Sequence, residues 1–401
     1  MTKSFRLGVS AVALAAVMAP AAAMAYTHEP FFTHPVELSR AYGMDIIAMR
    51  INLARQFGAP LHEELAEALE DNLGSPLARF EASLRAVNPE HADNLREALE
   101  ELAEAAEDGE EIEELASAAF AQLNAAYGAL FTAELLNSPA FIGGVTIQLL
   151  LGEGGVAEGY EEAAEEGEPW EYPNGWIALE RVKSYWSAIG QNGTEEQRID
   201  GEETIALMQS YYPTYEPPAS VDGWNPEEVE APAQRMAGVV EAVTDANLYP
   251  GRDPVRLVGL VSDLVASACA AIESGDAVGV EAIFPAFDLY EGEMSGLGAM
   301  ASLFAPEDHE VVEEGFEGIF AELGFVMGED DDDDDDDDGD HDADDHDDDA
   351  DHDDDADHDD DADHDDDDDH DDDDDGDEFS AAEACEALPG AFTNIRTALG
   401  G

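Results

Sequence analysis

The run Asn88–Glu107, NPEHADNLREALEELAEAAE, decides how this chain folds. Apolar Leu95, Leu99, Leu102 and Ala106 stand three or four residues apart, and glutamates fill the opposite face. That is the period of an α-helix with one buried stripe; a strand would alternate every second residue. Asn88 followed by Pro89 supplies the start. The side chain can cap the first turn, and a proline at the first helical position gives up an N–H that has no partner there anyway.

The same start signal recurs at Ser75-Pro76, Ser138-Pro139, Asn225-Pro226 and Asp253-Pro254. Helical spacing returns in Ile112, Leu115, Ala119, Leu123, Ala126 and Leu130, and again in Trp176, Leu179, Val182, Lys183 and Trp186. Alternating patterns are scarce. The expectation is an all-α protein, a multi-helix bundle that is either continuous or split into two helical subdomains, 26–151 and 152–328. Gln191–Gly201 and Tyr212–Gly223 read as loops, being rich in glycine, proline and threonine. Phe379–Leu399 reads as a terminal helix with Phe379, Ala382, Cys385 and Leu388 on its apolar face, the unit 379–401.

Between these parts lies the low-complexity tract 329–378, almost pure aspartate, which holds no apolar residue able to bury a core and is expected to be disordered. It is interrupted by His341, His346, His352, His358, His364 and His370, and from His346 the unit HDDDAD repeats every six residues. Carboxylate oxygens suit Ca²⁺ and Mg²⁺; imidazole adds affinity for Zn²⁺, Cu²⁺ and Fe²⁺. Six extended residues span about 20 Å, so neighbouring histidines do not share an ion unless the chain folds back. The expected sites are therefore local and weak, one histidine with its flanking acids: His346 with Asp347, His352 with Asp353, His358 with Asp359, His364 with Asp365. The competing reading is a passive, solvated acidic spacer, because Asp, His and Ala codons differ by single bases.

The chain has 401 residues and a formal net charge of −83. Without the tract's aspartates the remainder still carries about −47. Such a surface repels nucleic acid and anionic lipid and attracts cations, although a salty medium would favour the same composition. Lys3 and Arg6 precede the apolar run Leu7–Met18, and Ala23-Met24-Ala25 forms a small-x-small site before Tyr26. Residues 1–25 are thus expected to be a secretory signal peptide, and the mature protein periplasmic or secreted. No insertion into a membrane is expected. Val255–Ile272 carries Arg256 and Asp263, and Pro139–Leu151 falls short of the roughly 20 residues a spanning helix needs. The two cysteines, Cys269 and Cys385, flank the tract; outside the cytoplasm they either pair, tying the tract at both ends, or remain free thiols.

Further donors stand in the body. His28, Glu29 and His34 lie close together near Tyr26, where they could bind Cu²⁺ or Zn²⁺ or stand idle. His309, Glu313 and Glu317 share one helical face at i, i+4 and i+8, a spacing that suits metal ligands and also an ordinary solvated face. Glu158, Glu161, Glu162, Glu165 and Glu166 follow a helical spacing that arises easily in so acidic a chain, and His62 and His91 read as surface residues. There is no HExxH, no GxSxG and no glycine-rich phosphate loop, so no catalytic residue is expected.

Two stretches carry a resemblance. The first is Val156-Ala157-Glu158-Gly159-Tyr160-Glu161-Glu162-Ala163 with Glu171-Tyr172 downstream. The second is Ala270-Ala271-Ile272-Glu273-Ser274-Gly275-Asp276-Ala277, then Phe287, Tyr290, Glu291 and Glu293, then Val312, Glu313 and Phe316. These are similar to the soluble helical domain found beside FTR1-type iron permeases. The permease's own membrane iron motif, Arg-Glu-x-x-Glu, is absent. The resemblance implies an accessory for iron or another divalent metal, acting outside the membrane. The expectation is a non-catalytic protein that captures or buffers divalent ions (iron, zinc, copper or calcium) for a membrane metal transporter. The alternatives are an interaction protein with a solubilising acidic spacer and a hydrolase with an unrecognised carboxylate site.

Overall fold

The structure is a computed structural model and describes residues 34–165, 167, 169–248, 253–292, 295–325 and 379–401. The expected signal segment, His28 and the whole Asp–His tract, with all six of its histidines and their flanking aspartates, lie outside the described residues. Among the described residues there are helices and no strand.

The helices are α1 Pro35–Phe57, α2 Glu63–Glu70, α3 Ser75–Ala78, α4 Glu81–Val87, α5 Pro89–Glu107, α6 Glu113–Leu130, α7 Ala133–Leu136, α8 Pro139–Leu151 and α9 Glu158–Glu165. Then follow α10 Tyr172–Ile189, α11 Glu195–Tyr211, α12 Glu227–Thr244, α13 Pro254–Ser274, α14 Ala277–Val280, α15 Ile283–Tyr290, α16 Leu297–Phe304, α17 Pro306–Glu322 and α18 Ala381–Ala398. The central element is α1. It packs against α2, α3, α6, α8, α10 and α15. Leu38, Met44, Ile47, Ile51 and Leu53 are almost wholly buried, so its apolar surface runs around the helix and not along one stripe. One hydrophobic cluster runs from Leu38 to Ile395.

Local starts follow the capping chemistry in part. The side chains of Asn88, Ser138 and Asp253 accept the N–H groups of His91, Phe141 and Arg256. Ser75 and Asn225 do not cap: α3 begins at Ser75 itself after Gly74, and Pro226 stands at the start of α12. The expected loop Gln191–Gly201 is a helix from Glu195 onward. Thr194 accepts the Gln197 N–H while the Gln197 side chain accepts the Thr194 N–H, a reciprocal box that outweighs the neighbouring glycine. In α18 the buried face is Ala381, Ala384, Leu388, Ala391, Phe392 and Ile395, and Ala382 points outward, one residue off the expected stripe.

Cys269 on α13 and Cys385 on α18 are joined in a disulfide. The helix α13 is apolar and long enough to cross a membrane by length and composition. Here it packs against α14, α15 and α18, burying Leu257, Val258, Val261, Leu264 and Val265.

Candidate metal centre

The second stretch of the resemblance falls on α13, α14, α15 and α17, with Glu293 outside the described residues. In α17, Val312, Phe316, Ile319 and Phe320 form the buried stripe, Pro306 opens the first turn, and Glu307 and Asp308 sit where the helix dipole favours negative charge. On the partly exposed flank the i, i+4 spacing brings His309 and Glu313 together, Nε2 to Oε1 at 3.2 Å. Earlier in the chain, α15 reads IFPAFDLY and is buried on most sides. Aromatic contacts join it to α17: Phe287 lies 5.5 Å from Phe316 and 5.3 Å from Phe320, and Tyr290 5.9 Å from Phe316. Such pairs contribute about 0.5–1.5 kcal/mol each beyond the area they bury.

Ion pairs fix α15 from the other side. Arg79 donates two hydrogen bonds to Asp288, at 2.6 and 2.9 Å, and a third to Ser39 at 3.0 Å. Burial disfavours the Arg79 charge, but the Asp288 carboxylate more than offsets it; burial likewise pushes Asp288 above the usual carboxylate range. Nearby, buried Glu281 accepts from Arg40 and from the Ser83 N–H and hydroxyl, each at 2.7 Å. Two planar charge-assisted contacts at Arg79 leave α15 little freedom to rotate.

At the end of α15, Glu291 is aimed at α17. One oxygen each from Glu291 and Glu313 and a ring nitrogen of His309 all lie within 4.8 Å of one another. Ligands about 2.1 Å from a shared ion stand roughly 3–4 Å apart, so the His309–Glu313 pair already has a ligand spacing and Glu291 needs only a small approach. Glu291 is half-buried, and its Oε1 is fully buried with no hydrogen-bond partner. Burial, and then the nearby charge of Glu313, push this carboxyl up to about 7. A buried acceptor without a partner costs about 1–3 kcal/mol, a cost that a bound cation would remove.

The other ring nitrogen, His309 Nδ1, lies 3.0 Å from the Tyr290 hydroxyl. Two tautomers satisfy this contact. In one, the hydroxyl donates to Nδ1 and Nε2–H faces Glu313. In the other, Nδ1–H donates to the Tyr290 oxygen and Nε2 presents a lone pair, the form a metal requires. Burial, then Glu291, Glu313 and Asp308, hold the Tyr290 phenol well above its ordinary pKa, so it stays protonated beside the acids. The back wall is α16. A Cβ on Gly298 would stand 3.2 Å from Glu291 Oε2 and from the Tyr290 carbonyl oxygen.

A comparison with protein-family models, curated proteins and solved structures finds no match.

The remaining expected donors are placed differently. Glu317, one turn beyond Glu313, is exposed and outside the cluster. His34 is exposed at the start of α1, 3.9 Å from Glu37. His62 stacks on Trp170 with ring centroids 3.9 Å apart, and His91 contacts the Gln122 carbonyl at 3.0 Å. Glu158, Glu161, Glu162 and Glu165 lie on α9 as expected, and Glu166 lies outside the described residues. The pair His309 and Glu313 is visible in the local spacing, whereas Glu291 and Tyr290 are not. They reach the site across a helix–helix contact, and no short-range spacing announces them.

Proposed function

We propose that this protein is a non-catalytic, periplasmic or secreted accessory that binds divalent metal ions, iron or zinc foremost, and captures or buffers them for a membrane transporter. One observation carries the reading: two carboxylates and an imidazole converge, and one of those carboxyls, Glu291, has a buried oxygen without a hydrogen-bond partner. A nitrogen with two oxygens suits Zn²⁺ and Fe²⁺ and supplies too few oxygens for Ca²⁺ by itself. Three protein ligands leave positions open, which favours exchange over permanent retention. The resemblance to the helical domains beside iron permeases and the charge of −83 support the same reading. The tract would add many weak sites that raise the local ion concentration, while the body holds a single tighter site.

Titration calorimetry with Zn²⁺, Fe²⁺, Cu²⁺ and Ca²⁺ on the full chain, a 330–377 deletion, Glu291→Gln and His309→Ala tests this. The expected result is one tight site that survives the deletion and is lost in both point variants, with weaker sites lost in the deletion. Binding of Zn²⁺ and Fe²⁺ that is identical in all four proteins would overturn the proposal.

A further inference from the structure

The C-terminal helix α18 forms part of the support for the site, and a disulfide holds it there. It runs antiparallel to α13: Cys385 is bonded to Cys269, and a Cβ on Gly401 would lie 2.8 Å from Val255 Cγ1. It also runs antiparallel to α17, where Leu388 fills the space over Gly315 and Asn394 donates to Asp308 at 2.8 Å. Its Phe392 packs edge-on against Tyr290, centroids 5.9 Å apart, and Tyr290 is the residue whose hydroxyl meets His309. So α18 touches both sides of the imidazole support, through Phe392–Tyr290 and through Asn394–Asp308, next to His309. Its covalent ties to the rest of the described protein are the segment 326–378 and the bridge. Both cysteines are partly exposed.

We propose that the Cys269–Cys385 bridge is redox-linked to the Glu291–His309–Glu313 site: opening it releases the end of α18 and weakens metal binding. The inference rests on the metal reading of that site. In the chemical step a dithiol attacks the bridge by thiol–disulfide exchange. The S–S bond takes up two electrons and two protons to give two thiols, and the dithiol closes into its own disulfide. The docked α18 keeps Tyr290 covered and its hydroxyl against His309. With the bridge open, docking becomes an equilibrium, and the site is complete only in the docked fraction. Linkage is reciprocal, so a bound ion protects the bridge from reduction. Coupling of this kind changes affinity about 5–150-fold.

The test uses the full chain and Zn²⁺ alone as the probe, with the His309-dependent part of binding defined as wild type minus His309→Ala. The Cys269→Ser/Cys385→Ser double variant, which adds no thiolate ligands, is expected to bind this site at least about tenfold more weakly, with the tract's sites unchanged. Equal His309-dependent affinity in the double variant overturns the linkage and leaves the metal reading standing. No His309-dependent binding in wild type sinks the metal reading and this inference together. If the double variant loses its helical circular dichroism, the rate of bridge reduction by a water-soluble phosphine decides. Saturating Zn²⁺ should slow reduction several-fold in wild type and not in His309→Ala, and equal rates with and without Zn²⁺ overturn the linkage.

Discussion

Glu291 concentrates the chemistry of this molecule in one side chain. Its folded carboxyl is pushed up to about 7, above the ordinary range, so the folded state holds this proton more tightly than the unfolded chain does. Its contribution to stability is fully present below the unfolded value of about 4.3 and is lost as pH rises through about 7. A metal needs the opposite form. Zn²⁺ affinity at this site is therefore expected to rise about tenfold per pH unit up to about pH 7 and then to flatten. Calorimetry across this range, in two buffers of different ionisation enthalpy, measures both the affinity and the proton released. Tyr290→Phe removes only the hydroxyl contact to His309. It should weaken Zn²⁺ binding about 10–100-fold with the helical content intact, the size usual for a lost support to a metal-bound histidine.

At the scale of elements, the site depends on how closely α17 and α18 approach. Two glycines of α17 set that distance. A Cβ on Gly315 would meet Leu388 at 2.7 Å, and one on Gly318 would fall 1.7 Å from the backbone oxygen of Phe379. The second contact is with backbone, which cannot turn away, so Gly318→Ala must displace the entry to α18. The expected cost is about 1–3 kcal/mol, read as a lower midpoint in denaturant unfolding with an unchanged slope. The start of α18 is otherwise well fixed by the Ser380–Glu383 capping box.

For the whole molecule, charge sets the conditions of stability. A net −83 repels itself in the compact state, and 15 Lys and Arg residues offer few counter-charges. Several of those arginines are committed inside: Arg79 to Asp288, Arg40 to Glu281, and Arg181 to Asp45, which also accepts from Tyr127 and Tyr185 at 2.5 Å each. Screening should therefore raise the melting temperature by several degrees as salt goes from about 10 to 150 mM, where the Debye length falls from about 30 to 8 Å. A scanning calorimetry series in NaCl checks this; a flat or falling midpoint would show that the surface repulsion is already relieved.

Local features were legible in the residues. The stripe Leu95, Leu99, Leu102 and Ala106, the Asn88 cap and the i, i+4 pair His309–Glu313 are fixed by spacing along a few turns, because helical neighbours are sequence neighbours. Thr194 was legible in principle through its partner Gln197, yet Gly193 beside it suggested a loop. Cys269 and Cys385 left their pairing open, because 116 residues of separation carry no geometry. Only the tertiary structure joined them, turned α1 into the centre of the packing, and carried Glu291 from the end of α15 to within ligand reach of α17. The reason is physical. The sequence by itself determined an acidic, all-helical chain and two of the three residues of the candidate cluster, since those follow from short-range periodicity. Completing the set requires helices to pack, and which helices meet is decided by the burial of side chains far apart in the chain.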